Sequence, residues 1–415
     1  MSSPSLRSRI ARILAATPAT DMHTHLFSPA FGPLLLRGID DLLTYHYLIA
    51  EFFRWHPQLD YDAFFSMPVP AQAAAVWHSL FLDHSPVSES TRGVLTSLNA
   101  LGCPPNSRSL DAIRSFFSSL SPSEHVDLCM RAANIDTLVM TNSPFDPAER
   151  ACWDRGVSPD SRFRTALRID NLFTAWPAAA RDLRAMGFPA SASLTPATRS
   201  AIRNFLISWI DRIKPLYVMA SLPPSFSLPS RQPGARILTE IVLPLLRQRH
   251  LVMALMIGVE RQVNPALRLA GDGIGRMDIS TLAHLARSFP HNKFLVTLLS
   301  RENQHELCVV ARKFNNLMPF GCWWFLNSQF LIEELARMRL EWLGLSMIPQ
   351  HSDARVLDQI IYKWLHTKSI FLDVFTEKYT AIEASGWRLS DDDLQRDIAD
   401  LLRNNFWRFL NSSNG

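Results

Sequence analysis

The stretch Thr20-Asp21-Met22-His23-Thr24-His25 decides the fold, because it joins a strand-like run to polar residues at its end. Side chains alternate with a period of two in a strand, so His23 and His25 point the same way. Two imidazoles about 6–7 Å apart on one face can bind one divalent ion. His-x-His also arises by chance in a chain with 13 histidines. We therefore expect a first strand that ends in a candidate metal site.

Short apolar runs that end in polar residues recur along the chain, and helical stretches such as 278–289 and 304–314 lie between them. The candidate runs are 20–25, 137–142, 163–170, 217–222, 252–258, 294–299, 318–325 and 346–353. Most show no alternation, as expected for strands buried on both faces of a parallel sheet. Eight strand–helix units predict an α/β fold, a (β/α)8 TIM-type barrel, although a doubly wound open sheet would give a similar pattern.

The interval after the first run interrupts this alternation of strands and helices. Roughly 110 residues without a convincing strand follow it, and we interpret 38–130 as a mostly helical insertion at the mouth of the barrel. Residues 1–20 are predicted to form a leading helix, with a processed targeting segment as the alternative, and 389–409 a closing helix. A length of 415 residues fits two or three domains at about 150 residues each. One barrel with insertions also reaches this length, so we expect a single domain over 1–415.

Composition excludes several classes of protein. Hydrophobic residues make up 47% and charged residues 19%, which excludes a disordered chain. The net charge of +4 gives no reason to expect a nucleic-acid partner. No apolar run of about 18 residues predicts a membrane span. The five cysteines form no C-x-x-C pair, so a reducing cytoplasm fits best. The oligomeric state stays open, with a homo-oligomer among the options.

Polar residues at the ends of the predicted strands are the functional signal. In a barrel, side chains at the carboxyl ends of the strands line the active site. The residues in such positions are Asp21, His23, His25, Asn142, Arg168, Asp170, His351, Asp353 and Arg355. Neighbouring strands of a closed barrel would bring Asp353 to the two histidines of the first strand.

A set of short motifs in conserved order resembles one family. The segments are Asp21-Met22-His23-Thr24-His25-Leu26, His46-Tyr47, Leu167-Arg168-Ile169-Asp170, Ile257-Gly258-Val259-Glu260-Arg261, Phe320-Gly321-Cys322-Trp323-Trp324-Phe325 and Ser352-Asp353-Ala354-Arg355. They resemble D-x-H-C-H-L, the His-Tyr of D-H-Y-K-W-R, F-R-P-D, H-I-G-x-x-R, F-G-x-x-W-W-F and T-D-S-R of the uronate isomerases (glucuronate isomerases), in the amidohydrolase superfamily. The ordered set covers residues from about 20 to about 410.

The resemblance implies a metal-assisted isomerisation of a hexuronate, a sugar acid such as glucuronate or galacturonate, in carbohydrate catabolism. It implies a divalent ion, zinc, bound by His23, His25 and Asp353. The other implied roles are proton handling by Tyr47 and Asp353, carboxylate or enediolate binding by Arg168 and Arg355, and substrate contacts from His46, Asp170 and Trp324. Physically, such a reaction needs a base at C2, an electrophile for the enediolate and cations for the carboxylate.

Each assignment has a structural alternative. Arg168 and Asp170 also fit an ion pair inside the barrel, and Tyr47 and Trp324 fit packing positions.

Three positions depart from the family pattern. Met256 stands where the family has a histidine at the end of the fifth strand, and a thioether is neither an acid nor a base. Leu48 and Ala50 replace a lysine and an arginine, which removes positive charge. These changes indicate a divergent branch. They keep open two alternative functions. One is a metal-dependent hydrolase that acts on a lactone, ester or amide, and the other is a non-catalytic protein that binds a sugar acid.

Overall fold

The computed structural model describes residues 5–103 and 108–412 and has an α/β fold around a parallel sheet. The strands are β1 (Ala19–Thr24), β2 (Ile135–Asn142), β3 (Phe163–Arg168), β4 (Tyr217–Leu222), β5 (Val252–Ile257), β6 (Val259–Glu260), β7 (Gly273–Ile274), β8 (Phe294–Leu298) and β9 (Leu317–Pro319). Seven of them form one sheet in the order β1-β2-β3-β4-β5-β8-β9, with every pair parallel. The short strands β6 and β7 pair as an antiparallel hairpin.

The apolar runs become strands because both faces of the sheet are covered. Along β5, Met253 and Leu255 belong to the cluster between the sheet and the helices. The alternate residues Ala254 and Met256 belong to a second cluster on the inner face. Burial on both faces explains why these strands lack the alternation of a half-exposed sheet.

The eighth predicted strand, 346–353, is wrong as a regular strand. Within it, only Ile348 makes a β-bridge, with Phe320. The chain nevertheless reaches the first strand, since the backbone N–H of Asp353 donates to the carbonyl of His23 at 3.2 Å. The predicted run 318–325 is likewise a strand only as far as Pro319 and ends in a 3-10 turn over Trp324–Leu326.

Helices follow most strands and cover the outer face of the sheet. Their bounds are α1 (Leu6–Ala16), α2 (Ile39–Leu43), α3 (His46–Trp55), α4 (Tyr61–Ser66), α5 (Val69–Trp77), α6 (Glu89–Ala100), α7 (Leu110–Ser118), α8 (Pro122–Ala133), α9 (Pro147–Asp154), α10 (Asp170–Thr174), α11 (Trp176–Ala185), α12 (Pro196–Ile213), α13 (Pro233–Ile237), α14 (Leu243–Gln248), α15 (Ser280–Ser288), α16 (Gln304–Ala311), α17 (Gln329–Leu343), α18 (Gln359–Ala384), α19 (Asp391–Ala399) and α20 (Asn405–Asn411). Serine caps begin several of them, such as Ser121 at α8, whose side chain accepts from the N–H of Glu124. Within the described ranges, none of the helices is long and apolar enough to span a bilayer.

The described residues between β1 and β2 form the helices α2 to α8 and no strand. Helices α2 to α7 share a hydrophobic cluster of their own, which includes Leu48, Phe52, Phe64 and Trp77, whereas α8 packs into the cluster that covers the sheet. Helix α3 begins at His46, so His46 and Tyr47 belong to its first turn.

The last part of the chain packs at the end of the sheet where the strands begin. The closing helix predicted over 389–409 is confirmed: α19 and α20 are joined without a break by a π-helical segment, Asp400–Asn404. Phe406 and Phe409 enter the inner cluster of the sheet. Lys293, just before β8, donates to the carbonyl of Phe409 at 2.6 Å. The opposite end, where the strands finish, is therefore the end that carries the polar residues predicted from the sequence.

Candidate active site

Three side chains from distant parts of the sequence meet where β1 ends. Nε2 of His23 and Nε2 of His25 each lie 3.4 Å from Oδ1 of Asp353. The three candidate ligand atoms all lie within 4.8 Å of one another. A tetrahedral ion with bonds of about 2.0–2.1 Å keeps its ligands roughly 3.3–3.4 Å apart. The structure thus brings these three residues together at a spacing that fits one divalent ion.

The hydrogen bonds around His25 leave its Nε2 free to bind a metal. Oγ1 of Thr141 donates to the carbonyl of Thr24 at 3.0 Å and lies 3.0 Å from Nδ1 of His25. Because the Thr141 hydroxyl donates its proton to the carbonyl of Thr24, it can only accept from His25, so Nδ1 of His25 is the protonated nitrogen. The lone pair then lies on Nε2, which faces Asp353, as in many metal sites whose ligands are oriented by an outer partner.

The charge states of His25 and Asp353 also suit a cation. Burial, followed by the positive charge of Arg355, holds the pKa of His25 well below its ordinary value. Burial alone would raise the pKa of Asp353, but the imidazoles of His23 and His25 beside it hold that pKa well below the usual range. Neutral imidazoles and an ionised carboxylate are the forms that bind metals. Oδ1 of Asp353 has no hydrogen-bond partner in the part of the chain that the structure describes.

Two residues of the site have an unusual backbone. Asp353 has φ +54° and Trp324 has φ +46°. The left-handed region costs a non-glycine residue roughly 1–2 kcal/mol, and such strain concentrates at functional sites. The bend at Asp353 also means that Arg355 does not continue an extended strand end.

Several buried polar atoms around Asp353 lack a partner among the described residues. They are Nε2 of His46, Nε1 of Trp324, Oδ1 of Asp353 and both ring nitrogens of His351. The ring of His46 lies 5.5 Å from that of Trp324, and the ring of His351 lies 5.2 Å from that of His23. Buried polar groups are nearly always hydrogen-bonded, and an unpaired one costs about 1–3 kcal/mol. This concentration of unpaired atoms indicates a site for a polar ligand.

A cavity of about 370 Å³ opens beside His46 and Arg355. Tyr45 of the segment before α3 and Arg268 of the loop after β6 also line it. Among the described residues, none accepts a hydrogen bond or forms an ion pair with the guanidinium of Arg355. A free guanidinium offers a planar pair of donors that matches a carboxylate.

Arg168 and Asp170 form the ion pair that the sequence analysis had left open as an alternative. Nε of Arg168 donates to Oδ2 of Asp170 at 2.7 Å, and Nη2 donates to the same oxygen. Oδ1 of Asp170 accepts from the backbone N–H of Ser221 on β4 at 2.8 Å. The pair therefore ties β3 to β4, and Nη1 of Arg168 is the nitrogen without a described partner.

Helix α3 places His46 and Tyr47 at the site. Burial, and then the charge of Arg355, lower the pKa of His46 to about 3, so this ring is neutral at neutral pH. Burial raises the pKa of Tyr47 well above its ordinary value. The ring of Tyr47 stacks on Phe325 at 6.2 Å. A protonated phenol and the ionised carboxylate of Asp353 are the two states that an acid–base pair requires.

The departures from the family motifs have clear positions. Met256 is 1% exposed on the inner face of β5, where it pairs in register with Thr297 of β8. Leu48 is buried in the core of the helices between β1 and β2. The ends of β5 and β8 thus carry no histidine, and α3 carries no cation at this position.

Some residues of the site carried no usable signal in the sequence. His351 stood among the strand-end polar residues but received no role. Thr141 received no role either, because a threonine in a strand is common. Their importance depends on contacts between segments far apart in the sequence.

A second group of metal-type side chains, His125, Cys129 and Asp358, is explained without an ion. Nε2 of His125 lies 2.6 Å from Oδ1 of Asp358, and Nη1 of Arg37 lies 3.4 Å from Nδ1 of His125. Since a guanidinium only donates, Nδ1 is the acceptor and Nε2 carries the proton that Asp358 accepts. The N–H of Gly38 donates to the other carboxylate oxygen at 2.8 Å. These bonds form a complete network.

No family model and no curated protein sequence matches the chain. Among solved structures, a uronate isomerase from Bacillus halodurans C-125 is 47% identical, with a TM-score of 0.97, and the alignment covers 100% of this chain and 99% of that one.

Two more distant structures share the fold. A glucuronate isomerase from Caulobacter crescentus is 16% identical, with a TM-score of 0.78 and coverage of 99% of this chain and 95% of that one. A uronate isomerase from Thermotoga maritima is 13% identical, with a TM-score of 0.78 and coverage of 97% of both chains. At these identities the likeness concerns the fold alone. The 47% identity over the whole chain goes further, and by it the chain belongs to the uronate isomerase family.

Proposed function

We propose that this chain is an aldose–ketose isomerase that acts on a hexuronate, in the catabolism of sugar acids. The observation that carries the proposal is the set of unpartnered polar atoms around Asp353, next to the free guanidinium of Arg355. A hexuronate offers a carboxylate for the arginine and several hydroxyls for the unpaired nitrogens. Membership of the uronate isomerase family supports the same reaction.

Binding of the sugar acid is assigned to residues that can donate or stack. Arg355 holds the carboxylate or the enediolate as a bidentate fork. Arg168, steadied by Asp170, contributes its remaining N–H to the same charge. The neutral ring of His46 orients a hydroxyl, and Trp324 forms the wall on which the sugar lies.

Proton transfer is assigned to Tyr47 and Asp353. A base removes the proton from C2 while the C1 oxygen is protonated, which gives an enediol. Loss of the proton on the C2 oxygen and protonation at C1 then give the ketose, so no electron acceptor is needed. Tyr47 starts as the protonated partner and Asp353 as the ionised one, which suits general acid and general base roles.

We assign His23, His25 and Asp353 as ligands of a divalent ion, for which we propose zinc. Two imidazole nitrogens and one carboxylate oxygen form a donor set typical of zinc with open positions. Such an ion would act as a Lewis acid that polarises the substrate oxygens. The lone pair on His25 Nε2 and the unpartnered Oδ1 of Asp353 support this assignment.

The architecture that we propose around this site is a closed (β/α)8 barrel in a single domain over 1–415. Residues 38–130 are its helical insertion. The contact of Asp353 with the backbone of His23 and the β-bridge at Ile348 support closure between the last and the first strand. We further propose a cytoplasmic enzyme with a small-molecule partner and no nucleic-acid or membrane partner.

The test is an assay of a panel of hexuronates and their lactones, esters and amides, with metal content measured on the same preparation. We expect turnover of glucuronate or galacturonate to the ketose and none of the hydrolase substrates. Hydrolysis would instead support the hydrolase hypothesis, which the lack of histidines at Met256 and Thr297 disfavours. Thermal stabilisation by a hexuronate without turnover would support a non-catalytic binder.

A pair of tyrosine variants tests the proton assignment. Tyr47→Phe should lower kcat by about 10²–10⁴-fold, the usual range for loss of a general acid or base. The matched control is Tyr61→Phe, which changes a tyrosine of α4 whose ring packs 4.5 Å from Phe53, outside the site. Equal kcat in both variants would remove Tyr47 from the chemistry.

A further inference from the structure

Lys363 is a buried cation in the first half of α18, and its side chain is 4% exposed. Its Nζ lies 2.6 Å from Oε1 of Glu89 and donates to the carbonyl of Asn327 at 3.1 Å. The same ammonium lies 5.7 Å from the ring centroid of Tyr47 and 4.8 Å from that of Tyr362. Lys363 thus contacts three separate segments around the active site.

One of these contacts leads to Asp353. Nδ2 of Asn327, whose carbonyl Lys363 holds, donates to the carbonyls of His351 and Ser352 at 3.2 Å each. Its Oδ1 accepts from Nε2 of Gln350 at 3.1 Å. Asn327 therefore fixes the backbone immediately before Asp353, and Lys363 fixes Asn327.

A second set of contacts leads to the helix of Tyr47. Ser88, which precedes Glu89, donates from its hydroxyl to Oε2 of Glu51 at 2.6 Å. Glu51 lies four residues after Tyr47, one turn along α3. Residues four apart lie on the same face of a helix, so the Lys363–Glu89 pair helps to hold the face that carries Tyr47.

The packing of α6 on α18 keeps this arrangement tight. A Cβ added at Gly93 of α6 would lie 2.7 Å from the ring of Tyr362. Oγ1 of Thr96 lies 2.9 Å from Nε2 of His366 one turn further on. The glycine allows the two helices to approach closely enough for Glu89 to reach Lys363.

A buried ion pair is poor evidence of stabilisation, because well-packed apolar side chains often stabilise a fold equally well. The charge of Lys363 therefore calls for a role other than stability. We infer that Lys363 is a positioning residue that sets Tyr47 relative to Asp353. This inference rests on the proposed function, in which those two groups handle the proton.

The test compares the double variant K363M/E89Q with K378M. The double variant removes both charges, so it leaves no unpaired ion in the interior. Lys378 is the matched control, since it lies on the same helix and also pairs with a glutamate, Glu341. We expect K363M/E89Q to lower kcat by about 10–100-fold with little change in KM, as for a misplacement of roughly 1 Å. K378M should match the wild type, and K363R, which keeps the charge, should recover most of kcat.

Hydrogen exchange gives a readout that does not depend on activity. In K363M/E89Q we expect backbone amides to exchange faster than in the wild type only within residues 46–51 and 350–355. In K378M we expect wild-type exchange rates in both segments. A wild-type kcat together with unchanged exchange in both segments would overturn the inference, as would faster exchange spread over the whole chain. If the wild type proves inactive on hexuronates, the proposed function fails, and the exchange pattern alone decides the role of Lys363.

Discussion

Gly321 lies directly against the ring of His351, and Gly321→Ala gives a sharp test of the geometry. An added Cβ would lie 1.7 Å from Nδ1 and 2.2 Å from Cε1 of His351. The glycine also has φ +60°. Its backbone cannot easily move away, because its N–H donates to Ile348 at 2.7 Å and its carbonyl accepts from Arg339 at 2.6 Å. The histidine ring must therefore shift.

The size of the effect follows from these distances. Carbon contacts are comfortable at about 3.5 Å or more, so the ring of His351 must move by roughly 2 Å. That ring is fully buried and packs edge-on against His23 at 5.2 Å. Overpacking of this kind costs about 1–3 kcal/mol, in addition to roughly 1–2 kcal/mol for a left-handed alanine. Displacement of His23 by about 1 Å should lower kcat about 100-fold.

Gly344→Ala provides the control, because Gly344 has φ +58° and no atom within 4 Å of the added Cβ. Gly344→Ala thus also places an alanine at a positive φ, but without the clash. The assay is kcat on a hexuronate, with the thermal midpoint and metal content of both variants. If Gly321→Ala matched Gly344→Ala in midpoint and in kcat, the packing of His351 against His23 would not hold His23 in place.

Three further variants test the other parts of the site. Arg355→Lys should raise KM for an acidic substrate about tenfold, since lysine lacks the bidentate fork, and equal KM values in Arg355→Lys and the surface control Arg162→Lys would contradict its role. His23→Ala combined with His25→Ala should abolish bound metal by elemental analysis while the circular dichroism stays native, and full metal content would refute the triad. The pKa of His46 falls from 6.5 to about 3 on folding, so the unfolded state binds the proton more readily and stability falls as the pH drops from about 6.5 to 3. His46→Asn should therefore lose less of its thermal midpoint than the wild type between pH 7 and pH 4.5, and an identical loss would contradict this.

The strands could be predicted from the sequence where burial on both faces leaves an unbroken apolar run. The run 217–222 coincides with β4, and 20–25 differs from β1 by one residue at each end. The run 346–353 failed, since Pro349 and the left-handed bend at Asp353 leave only Ile348 in a β-bridge. Hydrophobic pattern alone does not detect a backbone bend of this kind.

The candidate site was likewise predictable from the sequence only in part. The local pattern His-x-His and the motif order identified His23, His25 and Asp353, which the structure brings together. The pairing of Arg168 with Asp170 was one of two readings, and the distance between the side chains was needed to choose. Lys363 was missed because its contacts join α18 to residues that no sequence spacing connects with it.

The central claim is that this chain interconverts an aldose and a ketose of a hexuronate, and nuclear magnetic resonance of the reaction tests it most directly. Protein of measured metal content is incubated separately with glucuronate and galacturonate in deuterated water. The account predicts that the ketose forms from at least one sugar and carries deuterium at C1, because the proton passes through exchangeable acids and bases. A protein with a full complement of metal that forms no ketose from either sugar would contradict it.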